Sequence, residues 1–345
     1  MQLIVLGLNH KTAPVEIRER FNFSQDRTVR VLRRLRNNDN LNEAVLLSTC
    51  NRTELYMVLE DPAAGLHFIR TLLRHLAGEQ YKPDYFYNLT GINCVRHLFK
   101  VASSLDSLII GEGQILSQIK NAYHLSRSCG MTDTLFNTLF NRAIAVGKRV
   151  RTETKIAYSS VSVSSAAVDL AIDVVGDLTK ANILVLGAGR MSELTARHLI
   201  DKGAKTIFVS NRNLSHAQEL AEKFNGTAIP YNEFMHQAIT SDIIITSTGA
   251  PHYVITEQGV RDIIPKRSGK PLILVDIAVP RDVDPLVGDI EGVTLYNIDD
   301  LEGVVDMNKN FRSSEAKVAE AIIDEEITAL KERLRYLTMR PVMVQ

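Results

Sequence analysis

The residues most able to do covalent chemistry lie in Ser48-Thr49-Cys50-Asn51-Arg52, between two apolar strand-type runs, Ala44 to Leu47 and Glu54 to Leu59. A thiolate is a strong nucleophile, and an arginine beside it can stabilise the anion or clamp a carboxylate through two parallel hydrogen bonds. A free cysteine after a buried strand is also an ordinary core filler, so from the residues alone both readings stand. A second locus is Gly187-Ala188-Gly189-Arg190-Met191-Ser192, entered directly from the apolar run Ile183 to Leu186 and followed at once by a helix. The first glycine permits a tight turn, and the second lets backbone approach a pyrophosphate resting on the helix N-terminus. Ser192 stands at the third glycine position. The next strand ends Ser210-Asn211-Arg212, with no acid to bond a ribose 2′-hydroxyl and one arginine able to bind a 2′-phosphate. That favours NADP(H) over NAD(H); the alternative is that Arg212 is a solvated loop residue.

Residues 1–155 read as an α+β domain. The pattern gives a strand at Leu3 to Leu8, a helix from Ser24 to Arg36 with Ser24 as N-cap, the two strands flanking Cys50, and four further helices: Ala64 to Ala77, Ile92 to Leu105, Gln114 to Ser126 and Thr134 to Arg151. A hydroxyl-rich stretch at residues 158–165 reads as a connection between domains. Residues 156–298 then alternate strand and helix: Asn182 to Leu186, Met191 to Ile200, Thr206 to Ser210, Ser215 to Phe224, a short strand near Ala228, Ile243 to Thr246, and a closing strand Leu272 to Asp276. Strands apolar on both faces require a parallel sheet covered by helices, so this part is expected to be Rossmann-like. Residues 299–345 predict one long helix from Val304 to Arg340. Its stripe Ile323, Ile327, Leu330, Leu334 and Leu337 points to a protruding arm that pairs with something rather than a helix lying on its own domain. The expected whole is a multidomain protein, part α+β and part α/β.

Composition bounds what such a chain can be. It has 345 residues, 40 Lys+Arg against 40 Asp+Glu, 45% apolar residues and no tryptophan, which excludes disorder and small disulfide scaffolds. Cys50, Cys94 and Cys129 are odd in number and far apart, with no Cys/His spacing of the zinc type, so no disulfide framework and no metal site are expected. No apolar run approaches the ~18 residues that span a bilayer, and the N-terminus lacks a targeting pattern, so a cytoplasmic protein is expected. The zero net charge is an average over unlike halves. Residues 1–160 carry 21 Lys+Arg and 14 Asp+Glu, and residues 161–345 carry 19 and 26. Basic groups at Arg27, Arg30, Arg33, Arg34 and Arg36, and at Arg142, Lys148, Arg149 and Arg151, are therefore placed to meet phosphates, or form solvated helix faces.

The cysteine segment, continued through Thr53-Glu54-Leu55-Tyr56, resembles the active-site motif of the glutamyl-tRNA reductase family. Other matching segments follow in the family's order: Gly7-Leu8-Asn9-His10-Lys11-Thr12-Ala13-Pro14, Leu105-Asp106-Ser107-Leu108-Ile109-Ile110-Gly111-Glu112, Lys148-Arg149-Val150-Arg151-Thr152-Glu153-Thr154, and Val275-Asp276-Ile277-Ala278-Val279-Pro280-Arg281-Asp282. Together they span essentially the whole chain.

The resemblance implies reduction of glutamyl-tRNA(Glu) to glutamate 1-semialdehyde with NADPH, the first step of the C5 route to tetrapyrroles, through a thioester on Cys50. A thioester accepts hydride far more readily than an ester, which is why covalent catalysis helps. Carried over position by position, Thr49, Asn51 and Arg52 hold the glutamyl moiety, with Arg52 on its carboxylate. Ser107, Glu112, Gly113, Gln114 and Gln118 complete the substrate pocket, and His97 matches a histidine important for activity, in proton handling or positioning. Gly187, Ala188, Gly189, Arg190, Met191, Ser192, Ser210, Asn211 and Arg212 would hold the cofactor. Two local departures from the family are Ser104, where glycine is common, and Gly113, where proline is common. The family continues past the long helix into a helical dimerisation domain, so the chain is read as a shortened one whose full-length form is a homodimer, passing its aldehyde to glutamate-1-semialdehyde aminomutase. Domain movement about residues 155–165 is expected to accompany hydride transfer. Two other readings compete: a shikimate-dehydrogenase-like NADP oxidoreductase, and a non-catalytic relative that binds glutamyl-tRNA.

Overall fold

A computed structural model describes residues 1–77, 82–108, 110–156, 163–301 and 309–343, the side chains of the last helix being described from 315 to 333. The chain divides into two compact units, Met1–Ser160 with Asn308–Gln345, and Val161–Met307.

The first unit is built on a four-stranded antiparallel sheet in the order β2-β3-β1-β4, from β1 (Gln2–Asn9), β2 (Leu41–Ser48), β3 (Arg52–Leu59) and β4 (Tyr87–Thr90). Alternate side chains of a strand point to opposite faces, and both faces here are apolar. Val5, Val45, Leu47, Tyr56 and Val58 pack with one core, which also takes in Leu98, Phe99, Phe136 and Phe140. Ile4, Leu6, Ala44, Leu46, Leu55 and Met57 pack with the other, which includes Phe21, Leu32 and Leu35. The second face is covered by helices α1 (Val15–Arg18) and α2 (Gln25–Leu35), the latter capped by the Ser24 hydroxyl, which accepts from the Arg27 amide at 3.4 Å. Helix α3 (Pro62–Ala77) follows β3, and α4 (Gly91–Ala102), α5 (Gln114–Ser128) and α6 (Thr134–Glu153) build the first core.

Helix α4 stops three residues before the expected end because Ser104 sits at φ 59°, in the left-handed region. Glycine enters that region without a side-chain clash. Here the Ser104 hydroxyl is engaged by donation to the Glu112 carbonyl at 2.6 Å. Gly113 has φ −73°, a value proline shares.

The second unit is a six-stranded parallel sheet ordered β10-β9-β8-β5-β6-β7, from β5 (Asn182–Leu186), β6 (Thr206–Ser210), β7 (Thr227–Ile229), β8 (Ile243–Thr246), β9 (Leu272–Asp276) and β10 (Val293–Asn297). In sequence rank this is 3-2-1-4-5-6 counted from β7, the doubly wound order whose crevice opens between the first and fourth strands. The expected closing strand β9 is therefore not the edge, since β10 pairs parallel to it. Helices α7 (Val163–Val175), α8 (Arg190–Asp201), α9 (Leu214–Lys223), α10 (Phe234–Ala238) and α11 (Glu257–Ile263) complete the unit. The expected connection at 158–165 falls largely on 157–162, outside the described residues.

The last helix, α12 (Lys309–Met343), corrects the expectation of a free arm along its described half. Ala319, Ile322, Ile323, Ile327 and Leu330 are buried in the first core together with Val95, Leu98, Phe140 and Val146 of α4 and α6. Ion pairs flank this seam: Arg96 to Asp324 at 2.5 Å, Lys100 to Glu320 at 2.8 Å, Arg142 to Glu326 at 2.5 Å, and Arg149 to Glu325 at 2.9 Å. The leucine-isoleucine stripe thus finds its partner within its own unit; Leu334 and Leu337 lie beyond the described side chains.

Candidate active site

Cys50 is the middle residue of a three-residue turn between β2 and β3, set by the pairing of Ser48 with Thr53. The Thr49 hydroxyl accepts from the amides of Asn51 at 3.2 Å and Arg52 at 3.1 Å, and the Thr49 amide donates to the Arg52 carbonyl at 2.8 Å. The end of β1 braces the turn through the His10 amide, which donates to the Asn51 carbonyl at 3.0 Å, and Arg18 donates to the Cys50 carbonyl at 3.4 Å. Thr49 is thereby committed to holding the turn. The thiol is half-buried and in no disulfide. Burial first, and then the Glu112 carboxylate, push it up to about 12, while Arg18 and Arg52 pull the other way. Burial likewise raises Glu112 above the usual carboxyl range. Two buried polar atoms in the expected substrate set, Asn51 Oδ1 and Ser107 Oγ, have no protein partner among the described residues. Buried polar atoms are normally satisfied, which leaves these two with hydrogen-bonding capacity that the described residues do not use.

Arg52 does something other than the sequence suggests. Its side chain is 1% exposed, and its guanidinium donates to Glu54 Oε1 at 2.6 Å, to Asp106 Oδ2 at 3.2 Å and to the Asp106 carbonyl. Lys11 reaches the same Asp106 carboxylate at 2.5 Å. Glu54, fully buried, also accepts from Tyr56 at 2.6 Å and Tyr87 at 2.5 Å, and pairs with His97 Nε2 at 2.9 Å. Burial opposes ionisation of Glu54, but Arg52 and His97 hold its carboxyl well below the ordinary range. These guanidinium contacts are internal, and through them Arg52 ties the segment carrying Ser107 to the strand that follows the Cys50 turn. His97 belongs to this same hub rather than to the turn. The residues that sequence reasoning missed are Glu54, Asp106, Tyr87 and Lys11. Glu54 carried a signal in its spacing, because Arg52, Glu54 and Tyr56 alternate on one face of β3; Lys11 and Asp106 stood within matching segments but were given no role.

The remaining expected substrate residues separate. Glu112 borders the thiol electrostatically. A side chain at Gly113 would meet the tip of Arg151 at 2.9 Å. Gln118, one turn beyond Gln114 on α5, faces a different depression, lined also by Ser48 and Phe23.

In the second unit the glycine turn sits at the crevice that the strand order defines. Gly187 has φ 109°, and a Cβ there would stand 2.8 Å from the Ser247 carbonyl oxygen, so this position admits only glycine. Gly189, the N-cap of α8, borders open space. Ser192 is fully buried and its hydroxyl meets that of Ser247 at 2.7 Å, so the third position packs closely despite not being glycine. A cavity of about 210 Å³ is lined by Gly187, Ala188, Gly189, Asn211, Arg212 and Thr248 among others. Arg190 and Met191 are not in its lining, and the buried Ser210 hydroxyl at the end of β6 has no partner among the described residues. Asp282 orients Thr248 by accepting from its amide at 2.7 Å and from its hydroxyl. Asp276, pushed by burial to about 7, accepts from the amides of Asp282 and Val283 at 2.9 Å each. Such a cradle fits the pyrophosphate of a dinucleotide. Among the described residues no group of side chains is arranged to hold a metal ion, and no helix is long and apolar enough to cross a membrane.

Comparison with known proteins agrees with both halves of this description. Residues 6–154 match the family model described as glutamyl-tRNAGlu reductase, N-terminal domain, and residues 169–304 match that of shikimate / quinate 5-dehydrogenase. The glutamyl-tRNA reductase of Trichlorobacter lovleyi is 45% identical over 347 aligned residues, covering 100% of this chain and 80% of that one. That of Geobacter sulfurreducens is 44% identical with the same coverage. The solved glutamyl-tRNA reductase from Methanopyrus kandleri is 36% identical and superposes with a TM-score of 0.53 over 99% of this chain and 82% of its own. On identity sustained along its whole length, together with a free thiol on the β2–β3 turn, the chain belongs to the glutamyl-tRNA reductase family.

Proposed function

We propose that this protein reduces the glutamyl ester of tRNA to glutamate 1-semialdehyde with NADPH, releasing the tRNA. The observation that carries the reading is the free Cys50 thiol on a turn pinned from both sides, with buried Asn51 Oδ1 next to it in sequence and without a partner among the described residues. Deprotonated, Cys50 attacks the ester carbonyl; the ribose oxygen of the tRNA leaves with a proton, and a thioester bonds the glutamyl group to Sγ. Asn51 and Ser107 supply polar contacts to the glutamyl group, and Arg52, locked by Glu54 and Asp106, keeps the two segments that carry them in register. His97, held by Glu54, is a positioning residue in this scheme. Gly187, Ala188, Gly189, Asn211 and Arg212 would hold the dinucleotide, Arg212 and the Ser210 hydroxyl favouring a 2′-phosphate. When bound, the nicotinamide supplies the hydride that takes the thioester to the aldehyde. Family membership implies a homodimer for the full-length protein and handover of the labile aldehyde to an aminomutase, both of which belong to this proposal.

The test is Cys50→Ser with charged tRNA and NADPH. No semialdehyde and no acyl-enzyme are expected, with thermal unfolding unchanged. Wild-type turnover in that variant would refute the covalent route.

A further inference from the structure

Along the edge strand β2, on the side of the turn away from the Arg52 hub, α2 and α5 leave an open groove of about 510 Å³ lined by Phe23, Gln25, Ser48, Gln118, Asn121 and Leu125, among others. Its size is that of a small-ligand site, roughly 300–1,000 Å³. One end is Ser48, two residues before Cys50, and its α5 wall continues from Glu112, which borders the thiol. We infer that this groove receives the unpaired 3′-terminal adenosine of the tRNA. The inference rests on the reading that glutamyl-tRNA is the substrate, and it adds where the nucleotide lies.

The ester carbonyl that Cys50 attacks is bonded directly to the ribose of the terminal nucleotide, so that nucleoside must lie against the surface next to the turn. On the β1–β3 side, the space beside the turn is filled by Arg52, Glu54, Asp106 and Lys11, bonded to one another. On the β2 side it opens. Within the groove, Gln25, Gln118 and Asn121 present amide side chains with no hydrogen-bond partner in the protein among the described residues. Amide side chains match the donor and acceptor pattern of an adenine edge. At its lip the Arg27 guanidinium lies 4.7 Å from the centroid of Phe23, giving a planar cation of the kind on which unpaired bases stack. Charge agrees: α2 carries Arg27, Arg30, Arg33 and Arg34 against the single acid Asp26, and α5 carries Lys120 and Arg127 with no acid.

The experiment compares the wild-type protein with Asn121→Trp, which fills the groove from an exposed position on α5. Two acyl donors are used: glutamyl-tRNA, and the p-nitrophenyl ester of glutamate, which has the same acyl group and no nucleotide. The variant is expected to raise KM for glutamyl-tRNA at least tenfold while the small ester acylates Cys50 at the wild-type rate. In the wild-type protein the trinucleotide CCA should compete with glutamyl-tRNA and not with the small ester. An unchanged KM together with no competition by CCA overturns the inference, as does a variant equally impaired toward both donors. If neither donor acylates the wild-type protein and no aldehyde forms, the reductase reading itself falls and takes the inference with it.

Discussion

At the residue scale the governing fact is a nucleophile that its own surroundings keep protonated. Burial and the Glu112 carboxylate hold the Cys50 thiol up at about 12, so the free protein has little thiolate at neutral pH. Alkylation of Cys50 by iodoacetamide should therefore keep accelerating about tenfold per pH unit through pH 9. Replacing Glu112 by Gln should speed it at fixed pH; a rate that plateaus near neutrality would refute this assignment. The neighbouring hub makes a different prediction. With Glu54 removed, Arg52 is a buried charge lacking its main partner, a loss of about 3–5 kcal/mol, so Glu54→Ala should unfold at clearly lower denaturant while Cys50→Ser does not. The pH dependence follows from depressed values in the folded state. Burial, with Arg52 and Lys11 behind it, lowers His10 to about 4 from 6.5, so the unfolded chain binds the proton more readily and stability falls as pH drops from about 6.5 toward 4. Glu54, also depressed, adds a further loss below its ordinary value of 4.5. Asp276, raised to about 7, acts in the opposite sense over the same range, so the His10 share is read as a difference: His10→Asn should lose less melting temperature than the wild-type protein between about pH 6.5 and 4.5.

At the element scale, each functional group is delivered by a short irregular segment between regular ones. The Cys50 turn is three residues closed by one threonine, and the nucleotide turn depends on one backbone conformation at Gly187. Gly187→Ala should abolish NADPH binding, because its Cβ would press on the Ser247 carbonyl at a φ of 109°; Arg212→Ala should weaken NADPH several-fold and leave NADH unaffected. Fluorescence titration of the two nucleotides checks both. How legible these elements were depended on burial. Strands β5, β6, β8 and β9 are apolar through both faces, and their bounds were readable to the residue. Strands β4, Tyr-Asn-Leu-Thr, and β10, Val-Thr-Leu-Tyr-Asn, carry strand-favouring residues but are half-exposed edges of four and five residues, too short for a buried apolar run to mark them. Helix α12 showed its apolar stripe plainly, but a stripe does not name its partner, and the partner came from α4 and α6, far back in the chain. The same holds within the site: Cys50 and the glycine turn are local motifs, whereas Asp106 meets Arg52 across 54 positions, a relation that only the fold creates.

At the scale of the whole molecule, charge and connectivity both divide along the two units. Counting residues 308–345 with the first unit gives it 28 Lys+Arg against 20 Asp+Glu, and leaves the second with 12 against 20. Attraction of a polyanion to the first unit should show in its salt dependence. Affinity for tRNA is expected to fall at least tenfold between roughly 50 and 200 mM salt if several phosphates are contacted, whereas affinity for the small glutamyl ester stays level; a flat tRNA curve would contradict the charge division. The connectivity has a consequence of another kind. The first unit is interrupted in sequence by the second, and α12, which covers the apolar surface of α4 and α6, is translated only after the whole of the second unit. As the chain leaves the ribosome, the second unit is a contiguous stretch that can fold on emergence. The domain bearing the nucleophile has begun first but must wait, with an oily flank uncovered, until the second unit has been made and α12 emerges to cover it. Its completion is therefore a timed event, during which this flank is the natural target for a chaperone.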